Sequence, residues 1–287
     1  MNMKKSLTLV LAVVMAATLL AGCGGTPAKK EEPKKAGAEI TGTVKASGST
    51  ALLPLLKAGQ EEFQKKNLKV TINIAGGGSF TGQNQVASGA VNIGNSDVAL
   101  DAKLKDKGLV EHKLVGIPFV FIANKEVNVD NLTMQQYVDI MTGKVTNWQE
   151  VGGKDLKITL VHRSPSSGSR ATIQQLVLKD KKFTDNAVIQ DSNGAVRAAI
   201  ASTAGAIGYV DAAYADASVK MLAVDGVKYS LADVASGKYK ILTFGRMFTK
   251  GQPDGATKAF IDFVTSKEFQ ETYAEKSGFV PLTKMPK

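Results

Sequence analysis

The sequence predicts an α/β protein built on a largely parallel sheet. Two observations carry this expectation. Short runs rich in β-branched residues alternate with segments whose apolar residues recur at helical spacing. Several of the junctions between them are rich in Gly, Ser and Thr, the composition of tight turns and helix starts. The bulk numbers agree. With 44% hydrophobic and 22% charged residues, the 287-residue chain has ordinary globular composition, enough for one large domain or two medium ones. No internal repeat of fixed period is visible.

The elements follow in order. "ITGTVKASG" (Ile40 to Gly48) reads as a strand ending in a turn, and Leu52, Leu55, Leu56 and Phe63 then recur at helical spacing. "LKVTINIAG" (Leu68 to Gly76) is a β-branched strand, "SFTGQNQVASG" suits a short helix, and "VNIGNSD" (Val91 to Asp97) is another strand. "LVGIPFVFIAN" (Leu114 to Asn124) is long and apolar, with Pro118 expected to interrupt it. "NLTMQQYVDIMTGK" offers Leu132, Met134, Tyr137, Val138 and Met141 to a core face. "LKITLVHR" is a strand, "ATIQQLVL" begins a helix, and "AIGYVD" (Ala206 to Asp211) is a short apolar strand. "KAFIDFVTSKEFQETYAE" reads as one closing amphipathic helix.

The N-terminus has a separate logic. Lys4 and Lys5 precede an uncharged apolar run, Leu7 to Leu20, that is short of the ~20 residues needed to span a bilayer. It ends at "LAGC", where Cys23 is the only cysteine in the chain. This is the layout of a secretory signal, and the tetrapeptide resembles a bacterial lipobox. Residues 1–22 are therefore expected to be removed and Cys23 to carry lipid. Residues 23–38, rich in Gly, Pro, Lys and Glu, are expected to form a flexible linker. A mature chain with no free thiol would fold without disulfides, which its length allows. The formal net charge of +10 favours anionic partners. Nucleic acid is disfavoured, because aromatics are only 6% and none interleave with a basic stripe.

In open α/β sheets, ligands sit where strand C-termini meet helix N-termini. Three such junctions share one composition: "SGST" (Ser47 to Thr50), "GGGS" (Gly76 to Ser79) and "RSPSSGS" (Arg163 to Ser169). The first turn of a helix has N–H groups without internal partners and carries partial positive charge. Glycine permits close approach, and Ser and Thr add short hydroxyl donors. Together they suit a compact oxyanion. N-caps and turns explain any one junction equally well.

Two charged residues sharpen the reading. Arg163 ends a strand, and its planar fork can hold two oxygens of a tetrahedral anion. Asp97 ends "NIGNSD", and a carboxylate beside an anion is repulsive unless the anion brings a proton. Hydrogen phosphate has a P–OH group at neutral pH and sulfate has none, so Asp97 favours phosphate. The plainer alternatives are a cap or surface turn for Asp97 and an exposed residue or structural ion pair for Arg163.

"GSTALLPL" (Gly48 to Leu55), "GGGSFTG" (Gly76 to Gly82), "IGNSDVAL" (Ile93 to Leu100) and "RSPSSGSR" (Arg163 to Arg170) come in the order found in the phosphate-binding lipoproteins of ABC-type phosphate importers. The chain resembles that family over essentially its whole mature body. The resemblance implies a two-lobed, type II periplasmic-binding-protein (Venus-flytrap) fold with two chain crossings, near Pro118 to Val120 and near Leu242 to Arg246. It implies one lobe from residues 39–119 and 245–287 and a second from 120–244. The implied phosphate contacts are Thr50, the backbone of Ala51, Ser79, Asp97, Arg163, Ser167, Gly168 and Ser169, with Ser49 replacing or supplementing Thr50. Ala51 stands where relatives often have an aromatic, and Ser169 where threonine is common; both keep the donor. Arg170 adds a second charge to the cradle or faces solvent. The implied setting is a monomer, lipid-anchored to the outer face of the cytoplasmic membrane, serving a membrane permease.

Rival readings are an enzyme, a carrier of another oxyanion (sulfate, molybdate or phosphonate), and a surface adhesion or scaffold lipoprotein. The enzyme is disfavoured because the two histidines, His112 and His162, build no nucleophile–base or metal-ligand pattern. "GGGSFTGQ" lacks the Lys of a P-loop, and "GNSDV" lacks the last Gly of a nucleophile elbow. No cofactor or metal is expected.

Overall fold

A computed structural model describes residues 39–285. The expected signal peptide, the Cys23 lipid site and the linker lie outside the described residues. From the start, β1 (Gly42–Gly48) leads into α1 (Leu53–Lys66) and β2 (Val70–Gly77) into α2 (Ser79–Ser88), followed by β3 (Ile93–Ser96) and the long β4 (Leu109–Ala123). Next come β5 (Asn131–Leu132), α3 (Met134–Met141), β6 (Thr159–Arg163), α4 (Gly168–Ile173), β7 (Val188–Gln190), α5 (Asn193–Ser202), β8 (Ala206–Asp211) and β9 (Lys220–Val224). The last elements are α6 (Leu231–Ala235), β10 (Leu242–Lys250) and α7 (Gly255–Thr265), followed by short helical turns.

The strands run in the order β2-β1-β3-β10-β4-β8-β6-β7, with β9 beside β4 and β5 beside β9. Two lobes share this path, and β4 passes through both. Its residues Leu109 to Pro118 pair with β10, and Phe119 to Ala123 pair with β8. Pro118 has no N–H to give to a ladder, and it sits where β4 changes partner. The strand therefore continues through Pro118, contrary to the expected interruption. On the other side Phe119 N–H donates to Ile241 O at 2.9 Å, just before β10 begins.

The sheet is mixed rather than largely parallel. β1 pairs in parallel with β2 and β3, and β6 with β7 and β8. The antiparallel pairs all involve β4, which runs through both lobes, or β10. Each lobe is thus built on parallel strand–helix units, and β4 and β10 run against them.

Local chemistry sets the helices. α1 has Pro in its first turn, where a missing N–H costs nothing, and Lys65 and Lys66 in its last turn, where they meet the negative end of the dipole. Its buried face is Leu55, Leu56, Gly59 and Phe63. Phe63 meets Phe260 of α7 edge-on at 5.6 Å, which brings the C-terminal segment back onto the first lobe. In the second lobe Tyr137 of α3 stacks on Phe121 of β4 at 3.8 Å, and its hydroxyl donates to Ala223 O. α3 is started by a capping box, Thr133 with Gln136. The closing segment is not one helix. Ser266 is extended (ψ 148°), ends α7, and caps the next turn by accepting from Phe269 N–H.

The first junction requires glycine. Gly48 has φ +130°, and a Cβ there would lie 2.1 Å from Asn95 O. Only a bare backbone allows β1 and β3 to approach and Ser49 N–H to reach that carbonyl at 2.9 Å. Gly48→Ala is expected to cost ~2 kcal/mol, read as a lower midpoint in chemical denaturation. An unchanged midpoint would show that the β1–β3 contact yields freely.

Candidate functional site

The site starts from Asp97, just past the end of β3, which is only 1% exposed. Every polar group of Asp97 is held. Its N–H donates to Ser79 Oγ at 2.9 Å, and its carbonyl accepts from Thr243 Oγ1 at 3.0 Å. Ser49 Oγ donates to carboxylate Oδ1, and Ser169 Oγ donates to Oδ2 at 3.1 Å. These partners come from the starts of α1, α2 and α4 and from β10, so the carboxylate sits where the two lobes meet. Burial is the largest influence on it and pushes the Asp97 carboxyl above its ordinary 3.8; the Ser49 and Ser169 donors, Arg163 and Arg246 pull the other way.

Arg163, at the end of β6, is also 1% exposed. Its Nε donates to Gln190 O at 3.2 Å, its Nη2 to Asp191 O at 2.8 Å, and its Nη1 to Ser169 Oγ at 3.5 Å. No carboxylate forms an ion pair with it among the described residues. Burial lowers the Arg163 pKa, and the nearby Asp97 charge opposes that shift. The guanidinium is nonetheless a fixed positive charge. Ser169 stands between the two charges, accepting from Arg163 and donating to Asp97.

The remaining expected residues gather around this pair. Ser167 caps α4, its hydroxyl accepting from Arg170 N–H at 3.2 Å. Among the described residues the N–H groups of Gly168 and Ser169 find no backbone partner, as the first turn of a helix dictates. Gly168 packs so closely that a Cβ there would come within 2.1 Å of Ser79 Oγ. The two lobes touch across the site. Phe80 N–H donates to Ser166 O at 3.2 Å, and Tyr214 Oη donates to Thr50 O at 2.6 Å.

Ser49 and Ala51 differ from expectation in detail. Ser49 gives its hydrogen to Asp97 and accepts from the N–H groups of Ala51 at 3.1 Å and Leu52 at 3.4 Å. One hydroxyl has one donor and two acceptor sites, so Ser49 is fully occupied in bracing Asp97 and the start of α1. In this arrangement Ala51 N–H is spent on Ser49. Arg170 does not enter the cradle. It turns behind it, with Nη1 donating to Arg163 O at 3.0 Å and its guanidinium over the Phe183 ring. His162 stacks on the same ring at 4.6 Å, and burial, with Arg170, pushes it down to about 4.

A fourth junction went unread in the sequence. "DSNG" (Asp191 to Gly194) joins β7 to α5 with the same Ser/Gly composition as the other three. Ser192 caps α5, the carbonyls of Gln190 and Asp191 hold Arg163, and Asn193 reaches Thr50. β7 has only three residues, Val188–Gln190, so no strand-like run announced the junction. Among the described residues no cluster of His, Cys, Asp or Glu is arranged to hold a metal, and no helix is long and apolar enough to cross a membrane.

A two-lobed α/β scaffold with hydroxyls, helix starts and one buried arginine converging between its lobes defines a small-anion binding protein. Comparison with known proteins agrees. Residues 33–268 match the model of the PBP superfamily domain. The phosphate-binding protein PstS of Bacillus subtilis (strain 168) is 38% identical over 99% of this chain and 96% of its own length. A Clostridium perfringens structure with bound phosphate, described as a phosphate ABC transporter substrate-binding protein, superposes with a TM-score of 0.80. It is 33% identical and covers 84% of this chain and 100% of its own. PstS of Borrelia burgdorferi, at 28% identity and a TM-score of 0.54, covers 83% of this chain and 98% of its own. The chain belongs to the PBP superfamily and, within it, to the family of phosphate-binding proteins of ABC importers.

The burial of Asp97 has a measurable consequence. Its folded pKa lies above the unfolded one, so the folded state holds the proton more tightly and loses stability as pH rises through the folded value. Ligand-free Asp97→Asn is therefore expected to melt above the wild type at about pH 7, with the gap closing as pH falls toward the ordinary carboxyl value. A variant melting below the wild type at about pH 7 would show that the carboxylate is net stabilising there.

Proposed function

We propose that this protein captures inorganic phosphate outside the cytoplasmic membrane and delivers it to the permease of an ABC importer. The observation that carries this is the buried Arg163 cation, which has no carboxylate ion pair among the described residues and faces a buried Asp97 across one hydroxyl. A tetrahedral anion supplies the missing negative charge. An anion that keeps a proton also satisfies Asp97. The family and its phosphate-bound relative support the same ligand.

In this reading Arg163 donates its fork to two phosphate oxygens and Asp97 accepts the P–OH. Thr50, Ser79 and Ser167 add hydroxyl donors, and the N–H groups of Gly168 and Ser169 add backbone donors; the Ser169 hydroxyl and the Ala51 N–H are already engaged by Asp97 and Ser49. Ser49 holds Asp97 rather than the ligand. The lobes are residues 39–119 with 245–287, and 120–244, hinged where β4 and β10 cross; closure buries the anion. The protein binds and releases its ligand unchanged and catalyses no reaction. Residues 1–22 are removed, Cys23 carries the lipid anchor, and residues 23–38 tether the folded body, which acts as a monomer. Sulfate, molybdate and similar fully deprotonated anions are rejected because each leaves Asp97 facing a bare negative oxygen, a penalty of several kcal/mol for unpaired buried charge.

Calorimetric titration tests this on a chain beginning after Cys23, stripped of ligand by unfolding and refolding. Phosphate is expected to bind tightly and sulfate to give no heat. Asp97→Asn is expected to lose about tenfold or more in phosphate affinity and to gain sulfate binding. No phosphate heat from folded protein would end the phosphate reading. Intact sulfate rejection in Asp97→Asn would end the selectivity account.

A further inference from the structure

Thr50 is held by a residue of the other lobe, Asn193 of the fourth junction. Asn193, the first residue of α5, is fully buried. Its side-chain orientation is fixed by chemistry. Asn193 Oδ1 lies 3.1 Å from the N–H of Asp211, a group that can only donate. The amide Nδ2 must then face the other way, and there it lies 3.2 Å from Thr50 Oγ1. The backbone N–H of Asn193 points at the same oxygen from 3.3 Å.

Two donors therefore occupy both acceptor positions of the Thr50 hydroxyl. The hydrogen is all that Thr50 has left to offer, so the hydroxyl can act only as a donor. Ser79 is only half-way to that state, since its oxygen accepts one bond, from Asp97 N–H. Ser49 shows the opposite outcome: its oxygen also accepts from two N–H groups, but its hydrogen is taken by Asp97. We propose that Asn193 is a positioning residue for anion binding: with its backbone and side-chain N–H groups it turns Thr50 into an obligate donor toward the ligand and ties that donor to lobe closure. This rests on the phosphate reading above. It also gives a chemical reason for the buried contact chain Asp211–Asn193–Thr50. The chain carries donor polarity from the end of β8 across the lobe boundary to the cradle.

A double-mutant cycle tests it. Phosphate affinity is measured for wild type, Thr50→Val, Asn193→Ala and the double variant, with the ligand-free melting point of each as a control for folding. Each single change is expected to weaken binding about tenfold, and the double change to weaken it by about the same factor, since Asn193 acts through the Thr50 hydroxyl. Should Asn193→Ala fail to fold, the similarly sized, uncharged Asn193→Leu, which can neither donate to Thr50 nor accept from it, serves the same cycle. Losses that multiply in the double variant would overturn the proposal, as would an Asn193 variant that folds and binds phosphate like wild type. A wild type that binds no phosphate would instead overturn the reading beneath it.

Discussion

Two opposite charges are buried within reach of one hydroxyl and do not touch. Arg163 reaches Ser169 Oγ at 3.5 Å, and Ser169 reaches Asp97 at 3.1 Å. In a low-dielectric interior both charges would gain by direct pairing. The fold prevents it by anchoring each from behind. Arg163 is held by the carbonyls of Gln190 and Asp191, and Asp97 by Ser79, Thr243 and Ser49. Charges kept apart in this way form a mould for something that can meet both, accepting from one and donating to the other.

Much of the remaining structure serves that separation. Asp97 belongs to the first lobe and Arg163 to the second, and the anchors on each come from strand ends and helix starts that the parallel units of each lobe bring together. β4 runs through both lobes, and both β4 and β10 lie antiparallel to their neighbours. β10 also places Thr243 against the Asp97 carbonyl, a bond that ties the strand to the acidic residue. Close contacts do the rest. Gly48 and Gly168 are positions where a single methyl would push apart β1 and β3, or α4 and Ser79.

The chemistry of the site was more legible in the sequence than its wiring. The three junctions, Asp97 and Arg163 stood out because Gly, Ser and charged residues at strand ends have few structural uses that favour all of them together. Ser49 was legible as a hydroxyl but not as a brace, because its role depends on Asp97 arriving from 48 residues away. Asn193 was not legible, since the strand before it has three residues and leaves no periodic signature. The antiparallel crossings were hidden for a different reason. Apolar patterning reports burial, and β4 is buried from Leu114 to Ala123 whichever direction its partners run. Ser266 broke the apparent last helix because a serine that can cap the next turn competes with helix continuation.

On the phosphate reading proposed above, the mould selects a tetrahedral anion that still carries a proton. The most direct measurement compares calorimetric binding of phosphate with that of monofluorophosphate, a dianion of similar size that replaces the P–OH with fluorine and has no proton to give at neutral pH. Monofluorophosphate is expected to bind at least ~100-fold more weakly than phosphate, because Asp97 is left facing an atom that cannot donate. Equal affinity would contradict it and would mean that Arg163 and the neutral donors alone define the ligand.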